Sequence, residues 1–200
     1  EFRRGGHSLR ALIRAVVSSQ AYQLSSGIIP ENAADAENIY FTRYRIKRLA
    51  AEQLADGLDD ATGTQEKYPG LPLGTRAIQL PDSGVRSYLL DVFGRPPRQL
   101  TCECERVMSP NIGQALHLIN GDFINGKIAR AGGRIDRLFK AKAALPEVVE
   151  QLYLATLSRP PTEAEVDAAL TLIKKAPTPR VGAEDLLWAL INSREFLFVH

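Results

Sequence analysis

The sequence predicts a mainly α protein: an irregular helical bundle with a Pro/Gly-rich central insert able to hold short strands. Helix-period apolar stripes occur near both ends of the chain. A strong helix-start signal stands at residues 160–165. Between the stripes, residues 62–101 lose the helical period and collect five of the twelve prolines and five of the fifteen glycines. Such punctuation blocks long helices. With 44% hydrophobic and 24% charged residues, the 200-residue chain has the composition of a globular protein and reads as one domain over 1–200, the insert lying within it.

The first helix follows Ser8, an N-cap, with Leu9, Leu12, Ile13, Val16 and Val17 at i, i+3, i+4, i+7 and i+8. It is expected to fade near Tyr22. A second helix is expected over 38–58, carrying Phe41, Tyr44, Leu49, Leu54 and Leu58 and stopping before Gly63. Its charges run against the macrodipole, with Arg43, Arg45, Lys47 and Arg48 early and Glu52, Asp56, Asp59 and Asp60 late. Either these charges pair, within the helix or with other elements, or they form an interaction face. Within the insert, 76–80 and 87–93 are the best strand or short-helix candidates.

Helices resume at Ser109-Pro110, an N-cap followed by proline at the first helical position, with Ile112, Ala115, Leu116 and Ile119 as the stripe. Phe123, Ile124 and Ile128 extend the apolar content to Gly132-Gly133. Short helices are expected at 135–143 and 146–157. Thr162 and Glu165 form a capping box for the next helix, which carries Val166, Ala169, Leu170 and Ile173 inward until Pro177 and Pro179. The last helix, near 183–196, is apolar almost all round and is expected to be buried.

Chemistry-bearing motifs are sparse. The phosphate-loop, dinucleotide, zinc-protease, haem-attachment and nucleophile-elbow signatures do not occur. Cys102 and Cys104 are too few for a disulfide scaffold, and their i, i+2 spacing is not the Cys-x-x-Cys knuckle of a zinc site. They read as packed thiols, as a redox-active pair, or as metal ligands together with His117. That histidine shares a helical face with Gln114 and Gly121, with Asn120 and Asn125 close by. Asp59-Asp60 could hold a cation, but neighbouring side chains on a helix point apart, so solvated charge is the simpler reading. The basic and aromatic run 43–48 is of the kind that contacts nucleic acid, yet 25 Lys+Arg against 23 Asp+Glu leave only +2, which disfavours that partner. No apolar run reaches the roughly 18–20 residues of a membrane span.

Taken in order, six segments resemble the planctomycete PSD-one family, a bacterial domain of unknown function. They are His7–Arg14 with Ser18–Tyr22, Arg48–Glu52, Cys102–Arg106, Gln114–Gly121, Leu157–Glu165 and Trp188–Phe196. The match looks like the C-terminal half of that domain. The chain opens on Glu1-Phe2 instead of Met, the mark of a processed or excised piece. The resemblance implies a C-terminal position in a large exported protein, periplasmic or at the cell surface, with upstream domains or another envelope protein as partner. It transfers no catalytic residue, and it implies that any haem belongs to upstream domains, with no cofactor in this chain. The leading expectation is a helical structural or interaction module. The alternative is part of an enzyme acting on envelope or extracellular polymers, redox-linked, with its site completed upstream.

Overall fold

The computed structural model describes residues 2–3, 5–96 and 122–199. They contain nine α-helices, one short 3-10 turn and one pair of two-residue strands, a mainly α fold. The chain divides into two compact units. The smaller runs to Lys47 and includes the terminal strand, and the larger spans Arg48–Leu197.

In the smaller unit, α1 (Leu9–Val17) begins at Ser8, whose hydroxyl accepts the Ala11 N–H at 3.3 Å. The helix ends at Val17, earlier than the expected Tyr22, because Ser18 closes it and the Ser19 hydroxyl donates to the Val16 carbonyl at 2.7 Å. Residues 18–46 contain no helix, which corrects the helix expected from residue 38. Side chains there hold the backbone in turns instead. Asp35 accepts the N–H groups of Ile39 and Tyr40 and the Thr42 hydroxyl. Asn38 exchanges two hydrogen bonds with the Arg43 backbone, and the Arg43 guanidinium donates to the carbonyls of Asp35 and Ala36. Asp and Asn compete with a helix in this way by satisfying local backbone groups. Asn38 and Phe41 also take positive φ, outside any right-handed helix. Strand β1 (Lys47–Arg48) pairs with β2 (Phe198–Val199).

The larger unit starts with α2 (Ala51–Thr62), which Gly63 terminates at φ +65° as expected. The Gln53 side chain accepts the Ala50 N–H at 3.0 Å, and Glu52 sits favourably in the first turn. The macrodipole conflict therefore disappears for the basic residues, since they precede the helix. The late acids do pair with other elements. Arg76 binds Asp56 and Asp60, and Lys127 binds Asp59.

Both short candidates in the insert are helical: a 3-10 turn at Ala77–Gln79 and α3 at Tyr88–Val92. No strand occurs among described residues 62–96. Asp56 fixes the 3-10 turn by accepting the N–H groups of Ala77 at 2.6 Å and Ile78 at 3.3 Å. Leu89, Leu90 and Phe93 join the core, so this Pro/Gly-rich segment is packed against the bundle.

The helix expected from Ser109 lies outside the described residues up to 121. Its continuation is α4 (Asp122–Ile128), followed by α5 (Arg134–Lys140) and α6 (Leu145–Leu157). α7 (Glu163–Lys175) opens with the expected capping box: Thr162 Oγ1 accepts the Glu165 N–H, and the Glu165 carboxylate accepts the Thr162 N–H at 2.7 Å. α8 (Pro179–Ile191) begins four residues before its expected start. Thr178 caps it and Pro179 occupies its first turn, so this proline opens a helix instead of ending one. Glu184 and Asp185 consequently fall in its middle. A short α9 (Arg194–Leu197) follows.

α8 packs against α2, α4, α5, α6, α7 and α9, and Leu186, Leu187, Leu190 and Ile191 are buried. Gly182 allows the close approach to α7: a Cβ there would lie 2.6 Å from the Ile173 Cα.

Candidate docking surface

Cys102, Cys104 and His117 lie outside the described residues, as do Gln114, Asn120 and Gly121. Asn125 is exposed on α4. Among the described residues, no group of three or more His, Cys, Asp or Glu side chains could hold a metal ion. Asp59 and Asp60 point to different partners, Lys127 and Arg76, as adjacent helical residues should.

The smaller unit carries the most distinctive surface. α1 buries none of its residues. Leu9 is 67% exposed and Ile13 62%, and Leu12, Val16 and Val17 are exposed with them. Next to its C-terminal end, Val16, Ala21, Tyr22, Leu24, Phe41 and Tyr44 line a groove of about 460 Å³, with Arg43, Arg45 and Lys47 also in its wall. The groove holds its shape through local bonds. Tyr44 N–H donates to the Ser25 carbonyl at 3.0 Å, and the Tyr22 and Tyr44 rings meet edge to face at 6.4 Å. The Gln23 amide reaches back to the Val17 carbonyl at 3.2 Å.

Asp35 anchors the loop behind this wall. Burial pushes its carboxyl pKa up, but the Ile39 and Tyr40 N–H groups and the Thr42 hydroxyl outweigh that and hold it below the usual value. The loop carries the Arg43 wall and places Phe41, 75% exposed, at the rim. Chemically the groove offers apolar and aromatic contact with cationic groups beside it.

The model of one family, PSD1, described as a protein of unknown function (DUF1553), matches residues 1–173. The chain belongs to the PSD1 family. No curated protein and no solved structure matches this PSD1 chain.

The larger unit of this PSD1 domain has a cleft of about 710 Å³ between the end of α2, the 73–76 loop and the Gly132-Gly133 turn. Its polar groups are largely committed to structure. Arg134 donates to the carbonyls of Ala61 at 2.8 Å and Asp60 at 2.7 Å, and Arg137 donates to Gly63 at 3.3 Å, so two arginines satisfy the carbonyl end of α2. Asp56 holds the 3-10 turn. Asp59 accepts Lys127 and the Glu66 N–H. Beside this network, burial pushes the Tyr68 phenol pKa up, and the charges of Asp59, Asp56 and Glu66 add to the rise. Tyr68 therefore stays a neutral buried hydroxyl.

Sequence reasoning found the α1 stripe and flagged the basic run, but not that they border one groove. The signal was available in Asp35 and Asn38, turn-forming residues ahead of a segment read as helix.

Proposed function

We propose that this chain is a helical interaction module of a larger exported bacterial protein, periplasmic or at the cell surface, that docks onto upstream domains of the same protein through α1. One observation carries the reading: all five residues of the apolar stripe of α1 are exposed, Leu9 and Ile13 by more than half of their surface. A nine-residue helix is marginal in water by itself, so it gains most from a cover. Covering a Val, Leu or Ile side chain fully contributes about 1.5–3 kcal/mol, enough for several such residues to hold an interface. Helix-in-groove and helix-on-surface docking read such i, i+3, i+4, i+7 anchors. The export and its compartment rest on the resemblance described above.

The test is co-expression of this chain with the upstream part of its full-length protein, followed by size-exclusion chromatography. Co-elution that Ile13→Asp abolishes and Ile13→Ala weakens is expected. Co-elution unaffected by Ile13→Asp, or no association at all, overturns the proposal. Circular dichroism of each variant checks that the remaining helices persist.

A further inference from the structure

We infer that the segment seated on the groove and α1 is an acidic amphipathic helix, with an apolar face and carboxylates along its edge. This rests on the docking reading above and names the chemistry of the partner. The helical spacing places Arg10 and Arg14 one turn apart along one edge of the α1 stripe. Arg45 and Lys47 stand at the groove, exposed. None of these four cations has a hydrogen bond or ion pair among the described residues. Arg43 differs, since Asp35 and Ala36 carbonyls occupy its guanidinium and it serves as wall.

The local charge is one-sided. Residues 1–47 hold seven Lys/Arg against four Asp/Glu, and no Asp or Glu lies on α1 or lines the groove. A second copy of this surface would bring like charges together, so self-docking is disfavoured. A flat lipid surface would leave the groove unfilled, whereas a helix can enter it and meet Ala21 and Leu24 in its lining. Carboxylates one turn apart on the incoming helix would match Arg10 and Arg14, and its apolar residues would meet Val16, Tyr22 and Phe41.

Two synthetic amphipathic peptides, about five turns long, share one leucine face and differ only in glutamate or lysine on the polar face. Fluorescence anisotropy with the intact chain is expected to show saturable binding of the Leu/Glu peptide and none of the Leu/Lys peptide. The Arg45→Glu/Lys47→Glu double variant should weaken binding about tenfold, and high salt should weaken it too. Equal binding of both peptides, binding of neither, or indifference to the charge reversal overturns the inference. Sedimentation with phosphatidylglycerol vesicles in the absence of peptide binding overturns it in favour of a lipid surface. Upstream association that needs Ile13 but ignores the charge reversal leaves the docking reading intact and removes this one.

Discussion

Lys127 places its ammonium 2.5 Å from the Asp59 carboxylate, joining α4 to α2 across 68 residues of sequence. The lysine side chain is only 5% exposed, and it also binds Glu66 at 2.8 Å and lies over the Phe123 ring at 5.0 Å. Two carboxylates and an aromatic face thus replace the water this cation has lost.

Removing that cation should be costly. Lys127→Ala leaves Asp59 mostly buried without its counter-charge, and loss of one partner of a buried pair costs about 3–5 kcal/mol. Because Glu66 is partly exposed, the low end, roughly 3 kcal/mol, is expected from urea denaturation. An unchanged midpoint would show that the pair contributes nothing.

Thr162→Ala tests the capping box. It removes the acceptor for the Glu165 N–H and should cost about 0.5–2 kcal/mol. Thr162→Ser, which keeps the hydroxyl, should retain most of the stability, and equal losses in both variants would sink the capping account.

Gly182→Ala pits helix propensity against packing. Alanine gains up to about 1 kcal/mol in a helix interior. Its Cβ, however, would meet backbone at Ile173, with the Cα at 2.6 Å and the carbonyl oxygen at 3.0 Å. Overpacking of this kind costs about 1–3 kcal/mol, so net destabilisation is expected in thermal melts. A raised melting temperature would mean that α7 and α8 separate freely.

Acid should weaken the junction of α6, α7 and α9. Arg159 bonds both Glu165 oxygens and both Glu195 oxygens, and this guanidinium, with the Thr162 N–H, lowers the Glu165 pKa from 4.5 to about 2. A depressed carboxyl pKa stabilises the fold above its unfolded value and loses that contribution as pH falls from about 4.5 to about 2. Glu165→Gln should therefore flatten the acid limb of stability against pH. A limb identical to that of the parent chain would contradict the assignment.

Local signals made the C-terminal helices legible. Thr162 with Glu165 marks the start of α7, and the stripe of Val166, Ala169, Leu170 and Ile173 marks its inward side, where Ala169 and Ile173 are buried. The errors came where two readings of one residue compete. Pro179 read as a stop because it follows Pro177, but Thr178 before it supplies a cap and makes it a first-turn residue. Residues 38–47 read as helix from Phe41 and Tyr44, while the Asp35 and Asn38 side chains gave the same backbone better-satisfied turns. The groove was illegible for a different reason. It joins residues 16–24 to 41–47, and no periodicity within either stretch encodes their meeting.

The family match ends at residue 173, yet α8 begins at Pro179. The match thus stops short of a helix that packs against six others. A polypeptide trimmed to the match would lose Leu187 and Ile191 and strip the apolar faces of α6 and α7 of their shared partner. Anyone dissecting this chain should cut after α9, because α8 supplies the buried side chains against which α6 and α7 pack.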